Sequence, residues 1–171
     1  HYSITEEEDN TTEWILGNDT LKNNMIIYGN NNVLTSTTGL SGINTSTYTL
    51  TVRNLKEYSG FEDAIIVQKK GSSTGSLIVS SVTFKNNSGD AVITNAGTVK
   101  LSSVTFTGNS VTTDILNNRQ LIITDEGATL DKGISGIGNI TIEGDATLIS
   151  GENSKINQTN ITVSGSLIKV I

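Results

Sequence analysis

The stretch 75–123, GSLIVSSVTFKNNSGDAVITNAGTVKLSSVTFTGNSVTTDILNNRQLII, contains two near-copies of one unit. The segment LIVSSVTFKNN at 77–87 returns as VKLSSVTFTGN at 99–109, and Leu121 opens a third copy after a further 22 residues. Apolar and polar residues alternate within each unit, as in a strand with one buried face. A period of about 20–25 residues with strand-like content is typical of a solenoid. The leucine-rich repeat shares this period, but its Leu-x-x-Leu-x-Leu signature is missing, which favours a parallel β-helix.

Six turns of this helix, or rungs, align by their first strand, and their apolar residues fall into columns that we expect to point inward. The first strand predicts the columns Leu50, Leu77, Val99, Leu121, Ile140, Ile161 and Val52, Val79, Leu101, Ile123, Ile142, Val163. The second strand predicts Leu55, Val82, Val104, Ala128, Ala146 and, two residues on, Phe84, Phe106, Leu130, Leu148, with Glu57 breaking this last column. The prediction is an all-β fold, a right-handed parallel β-helix of about six to seven rungs, since crossovers between parallel strands are almost always right-handed.

The chain of 171 residues is one domain by length. Residues 1–24 do not follow the repeat, and Trp14, Ile15 and Leu16 among them predict an N-terminal cap over the open end of rungs 25–171. At the other end, the apolar segment 167–171 stops without a turn cluster or a cap. We therefore expect the native protein to continue past Ile171, so that this chain is part of a longer protein.

Two features of the turns follow from the same alignment. Asn95, Asn117 and Asn157 each stand four residues before a new rung, and asparagines stacked about 4.8 Å apart can form a hydrogen-bonded ladder. Gly136 and Gln68 occupy the matching places in two other rungs. The longest rung contains the insertion KKGSSTGS at 69–76, which predicts a projecting loop.

Composition narrows the range of functions. The chain has no cysteine, and its one histidine is His1 at the terminus, which disfavours thiolate or imidazole metal sites and histidine-based catalysis. A net charge of −6 disfavours a nucleic-acid partner, because phosphate binding needs clustered Lys and Arg. No apolar run is long enough to span a bilayer, so we expect no membrane insertion by this segment. We expect no cofactor.

Two sets of polar residues are candidates for chemistry or binding. Asp63 and Asp90 precede alanines in equivalent places, and such a pair could bind Ca²⁺ or act as acid and base. The equivalent residue one rung on is Thr112, with Asp114 two places away, and the arginines lie in other columns. An outward column of Thr83, Thr105, Thr129 and Thr147 could bind ice or sugars, but β propensity alone supplies threonine on exposed strands. We interpret both sets as structural and predict no catalytic, cofactor-binding or metal residue.

Three short motifs carry a resemblance to a known family. Phe84-Lys-Asn-Asn87 and Phe106-Thr-Gly-Asn109 match the motif FxxN, and Gly89-Asp-Ala-Val92 differs by one substitution from GGA[ILV]. Together they resemble the repeats of polymorphic outer-membrane proteins and related autotransporter-like adhesins. The resemblance covers roughly residues 25–110 and implies a β-helix on a bacterial surface with a role in adhesion.

The expected function is accordingly that of a non-enzymatic adhesin-like β-helix, on the bacterial cell surface, in the outer membrane or secreted. Its expected partner is a host-surface protein or glycan, or a second copy through self-association. The alternative is a carbohydrate-active β-helix, such as a polysaccharide lyase, a hydrolase or a tailspike fragment, which would need a groove with at least three converging charged side chains.

Overall fold

The computed structural model describes residues 2–3, 19–36, 39–152 and 154–169. These residues contain strands and no helix, so the fold is all-β. The strands are β1 (Tyr2–Ser3), β2 (Met25–Thr35), β3 (Ser41–Asn44), β4 (Thr49–Ser59), β5 (Glu62–Val67), β6 (Lys69–Lys70), β7 (Ser73–Thr74), β8 (Ser76–Lys85), β9 (Ser88–Asn95), β10 (Thr98–Thr107), β11 (Ser110–Asn117), β12 (Gln120–Ile123), β13 (Ala128–Leu130), β14 (Gly133–Ser135), β15 (Asn139–Ile142), β16 (Thr147–Ser150), β17 (Lys155–Ile156), β18 (Asn160–Val163) and β19 (Ser166–Lys169).

The strands stack into a parallel β-solenoid of about 6 turns, as the repeat predicts. An 11-stranded sheet runs in the order β1-β2-β4-β8-β10-β12-β15-β18, with β13, β16 and β19 continuing its second half beside it. A 6-stranded sheet in the order β17-β14-β11-β9-β5-β3 forms the opposite wall. The insertion at 69–76 is the exception, because β6 and β7 pair antiparallel as an exposed hairpin, which confirms the predicted projection.

The predicted first-strand columns are confirmed residue for residue. Leu77 pairs with Leu50 and Val99, and the same column continues through Leu121 and Ile140. These side chains are fully buried, and the space between the two sheets is filled by aliphatic and aromatic residues. The core is therefore a set of stacked, identical or similar side chains, which is how a solenoid buries a continuous apolar interior.

The second-strand columns require two corrections. Tyr58, not Glu57, stands in register with Phe84, because a bulge between Leu55 and Tyr58 adds one residue to β4. Ala128 pairs with Leu148, so the predicted partner Ala146 is buried but lies outside this column. The corner before the second strand has a constant length in the rungs that contain Leu55, Val82 and Val104 but is longer before Ala128 and Leu148, and alignment by sequence alone could not place the extra residues.

A bend between the two halves of the long strands forms a corner that is stacked along the solenoid. Asn54, Ser81 and Ser103 occupy it in consecutive rungs, with φ values of 54°, 55° and 54°. Left-handed backbone turns the strand sharply, and a short polar side chain tolerates it better than a bulky one. In β2 the corner holds two left-handed residues, Asn30 and Asn31, so the first rung bulges outward there.

The predicted cap can be followed only in part. Tyr2 and Ser3 pair with β2 along the edge of the first rung, and buried Leu21 donates its N–H to the carbonyl of Asn44. Trp14, Ile15 and Leu16 lie outside the described residues. Within the described ranges no helix is long and apolar enough to cross a membrane.

Candidate functional site

The carboxylates singled out by the sequence lie on neighbouring rungs, and one of them has a structural task. Asp63, in left-handed conformation with φ of 47°, accepts the backbone N–H of Asp90 on its Oδ1 at 3.1 Å. Gly89 beside it has a φ of 104°, and a Cβ there would lie 2.5 Å from the same Oδ1. The Asp63 carboxylate thus bridges two rungs. Among the described residues no group of three or more acidic, histidine or cysteine side chains is placed to hold a metal ion.

The predicted threonine column is shorter than the sequence suggests. Thr83, Thr105 and Thr129 are in register, but the next partner of Thr129 is Ile149, because the same corner shift displaces Thr147. The threonines are half-buried. Three threonines followed by an isoleucine do not make the extended flat array that the sequence alignment predicts.

The FxxN residues serve packing and turn formation. The rings of Phe84 and Phe106 stack with centroids 5.1 Å apart, and the Tyr58 ring packs against Phe84 at 5.3 Å with a tilt of 47°. Asn87 and Asn109 are buried beneath the turn that follows each strand. Asn87 donates to the carbonyl of Tyr58 at 2.9 Å and to Oδ1 of Asn109 at 3.1 Å. Each motif therefore supplies one aromatic ring to the core and one amide to an internal ladder.

The second asparagine ladder is confirmed for Asn95 and Asn117, whose side chains are buried and joined at 2.7 Å. The predicted third member, Asn157, is exposed, and its neighbour Gln158 accepts a hydrogen bond from Asn117 instead. The prediction for Gln68 is also wrong, because Val67 is the residue in register with Asn95 and Gln68 is exposed.

Asp114 is the buried carboxylate that the sequence analysis did not single out. It is fully buried, and its Oδ2 accepts the successive backbone N–H groups of Asp131, Lys132 and Gly133 at 2.8, 2.7 and 3.1 Å. Its Oδ1 has no hydrogen-bond partner among the described residues. Burial raises the pKa of Asp114 above that of an ordinary aspartate, the three N–H groups oppose this rise, and the charge of Asp131 adds to it. The sequence does contain a signal for this buried carboxylate, because Asp114 occupies the position that buried Val92 holds in the preceding rung.

An open depression of about 210 Å³, lined by residues with polar side chains, lies on the outside of the first bend. It is lined by Asn30, Asn31, Asn54 and Ser81, all of them at positive φ. Asn30 and Asn31 belong to the bulge of β2, and Asn54 and Ser81 belong to the corners of the next two rungs. The sequence signal was the run Gly29-Asn-Asn-Asn32, which is typical of a turn and which forms the bulge of β2 in the structure.

Exposed side chains with binding chemistry stand beside this depression. Tyr28 and Arg53 are in register on adjacent strands, one or two residues before the lining asparagines. Lys56 is exposed two residues after Asn54. Neither Arg53 nor Lys56 forms an ion pair within the part of the chain that the structure describes, whereas Glu57 is paired with Lys85 at 3.7 Å. Two cations therefore flank one depression in a protein of net charge −6.

Comparison with protein-family models, with curated proteins and with solved structures finds no match to this chain.

Proposed function

We propose that this chain is a non-enzymatic attachment module, an adhesin-like β-solenoid of a bacterial surface or secreted protein. The proposal draws on the resemblance of its FxxN and GDAV segments to adhesin repeats. Its partner would be a protein or glycan on another surface. The solenoid would act as a rigid rod that presents binding groups at fixed spacing.

The observation that carries this proposal is that the buried polar residues stabilise the fold, so that binding is left to the exposed strands. Buried polar side chains inside the molecule form hydrogen bonds that hold one rung on the next. They belong to Asn87, Asn109, Asn117 and Asp114. The exterior offers parallel strands in continuous register, with neighbouring rungs about 4.8 Å apart. A rigid face needs little ordering on binding and so loses little entropy there.

The alternative, a carbohydrate-active enzyme, would depend on Asp63 and Asp90. Asp63 is engaged with the backbone of the next rung, which fixes its position but leaves exposed Asp90 as the free carboxylate of the pair. An enzyme of this type should release reducing or unsaturated sugar from pectic or bacterial polysaccharides, and the Asp90→Asn variant should abolish that release. Such a result would replace the attachment proposal.

The attachment proposal is tested with the whole 171-residue chain coupled to beads. Beads are applied to surfaces coated with extracellular-matrix proteins, to epithelial cells and to the same cells after glycosidase treatment. Attachment above that of beads carrying an unrelated β-solenoid supports the proposal, and loss after glycosidase treatment identifies a glycan partner. Beads that attach to none of these surfaces would contradict it.

A further inference from the structure

The depression at the first bend has the features of a small polar ligand site. Its volume of about 210 Å³ is below the roughly 300–1,000 Å³ of a drug-sized ligand or cofactor pocket, so it suits a small ligand or one unit of a longer chain. One sugar ring is of this size. The depression is open to solvent on the outside of the solenoid, where the end or a branch of a longer chain can enter it.

The chemistry of the lining matches hydroxyl groups. Asn30, Asn31 and Asn54 each offer an amide that both donates and accepts, and Ser81 adds a hydroxyl. Neighbouring hydroxyls on a sugar ring need donors and acceptors side by side, which paired amides provide. All four residues have left-handed backbone, with φ values from 47° to 63°, and they lie at the corners of three consecutive rungs.

The groups that flank the depression add a charge preference. Tyr28 is 42% exposed and offers an aromatic face to the polarised C–H groups of a sugar. The guanidinium of Arg53 suits bidentate pairing with a carboxylate or sulfate, and Lys56 supplies a second positive charge. A neutral saccharide would use the amides and the ring but neither cation.

We infer that this depression, defined by Asn30, Asn31, Asn54 and Ser81 with Tyr28, Arg53 and Lys56 beside it, binds an acidic saccharide. The inference rests on the proposed attachment function and names its ligand class. The shared chemistry is a pyranose that carries a carboxylate or a sulfate. Uronic-acid polymers and sulfated glycosaminoglycans both supply it.

Binding is measured by titration calorimetry on the full chain with three hexasaccharides. The probes are an oligogalacturonate for carboxylates, a heparin fragment for sulfates and maltohexaose as the neutral control. We expect at least one acidic probe to bind at least about tenfold more tightly than maltohexaose at low salt. The preference should shrink as salt is raised to about 0.5 M, since exposed charges are then screened.

Variants with matched controls locate the site. Arg53→Gln should weaken acidic-probe binding about tenfold or more, whereas Arg119→Gln, at the other exposed arginine, should change it less than about twofold. Asn54→Gly removes an amide at a φ of 54° that glycine adopts freely, and Asn86→Gly is its control at an exposed position with φ of 53°. Tyr28→Thr is compared with Tyr48→Thr, where the ring is 37% exposed.

The inference is overturned if none of the probes binds, if maltohexaose binds as well as the acidic probes, or if site variants and controls lose affinity equally. The bead assay separates this result from the fate of the attachment proposal. Beads that still attach while no acidic probe binds would overturn the saccharide site and leave attachment standing. Saccharide binding lost in Arg53→Gln but not in Arg119→Gln, with beads that attach nowhere, would support the site and contradict attachment.

Discussion

At Asp114 a carboxyl group is buried in a place where the preceding rung has a valine. The turn that carries Asn87 and Asn109 in the earlier rungs is shortened in the next one, where Ile134 follows Leu130 after only four positions. Three successive N–H groups of this short turn point inward, and the Asp114 carboxylate accepts all of them. The aspartate thus replaces the asparagine ladder where the ladder ends.

We expect the contribution of Asp114 to the stability of the fold to decrease as the pH rises. Because burial raises its pKa in the folded state, the folded chain holds this proton at pH values where the unfolded chain has released it. Stability contributed by Asp114 is therefore lost as the pH rises from the ordinary aspartate value, about 3.9, through the raised value. The free energy of unfolding of the wild type, relative to that of Asp114→Asn, should increase on acidification from pH 7 to pH 4.

The comparison with Asp114→Asn removes the contributions of the other carboxylates, since they are common to both proteins. Urea unfolding at four pH values measures the difference. A difference for Asp114 that grows with rising pH would show that the three N–H groups outweigh burial.

Between elements, the asparagine ladder under the FxxN turns holds β8, β10 and the preceding rung together. Asn87→Ala would leave the N–H of Phe61 and the carbonyl of Tyr58 without their side-chain partner. Each buried group left unpaired costs about 1–3 kcal/mol, so we expect a loss of about 3 kcal/mol. Exposed Asn86→Gly, one residue away, should cost less than about 1 kcal/mol by the same urea unfolding. Equal losses would contradict a role for the ladder.

The inward columns predict a second pair of variants on β10. Val104→Asp places an unpaired charge in the dry core and should cost at least about 4 kcal/mol, a drop in melting temperature of about 8–16 °C. Thr105→Asp faces outward and should lower it by only a few degrees. Calorimetry of both variants checks the register, and similar drops in melting temperature would show that the assigned inward face is wrong.

Whether the strand register could be predicted from the sequence depended on the spacing between the two halves of each long strand. Register was predictable where spacing between strand halves is constant, as from Val82 to Val104, because alternation then fixes the face and the repeat fixes the partner. It failed at Tyr58 and Leu148, where a bulge or a longer corner inserts a residue. Local periodicity does not show which of two buried residues, Ala146 or Leu148, pairs with Ala128 of the preceding rung.

The candidate site was beyond sequence reasoning for a reason that belongs to the whole molecule. Asn30, Asn54 and Ser81 lie far apart in the chain and meet because three rungs stack with their corners aligned. The repeat predicts that the corners align, but it does not predict the two extra residues in β2, which include Asn30 and Asn31 of the lining. By contrast, the residues that do recur, such as Phe84 and Phe106, recur because the core requires them.

The last described rung differs from the others in how much of its core columns it leaves exposed. Ile161 and Val163 are 39% and 45% exposed, whereas Ile140 and Ile142, their partners one rung earlier, are 1% and 0% exposed. Leu167 in β19 is 42% exposed. Among the described residues no strand pairs with the outer edge of β18 or β19, and a strand edge with apolar side chains beside it is a surface to which a second chain can pair.

We expect this edge to cause reversible self-association of the 171-residue chain. Covering the exposed parts of Ile161, Val163 and Leu167 gains hydrophobic free energy of about 25 cal/mol per Å² buried, and edge N–H and carbonyl groups gain partners at the same time. Sedimentation velocity from low to high micromolar concentration should show a shift toward dimers or larger species. The double variant Ile161→Lys, Val163→Lys should remain monomeric over the same range, because lysine at an edge repels a second copy. Ile26→Lys, at an equally exposed isoleucine on the outer face of β2, is the control and should associate like the wild type. If the wild type is monomeric throughout, or if Ile26→Lys abolishes association as fully as the double variant, the edge is not the contact, and the outer face of the sheet becomes the surface to test.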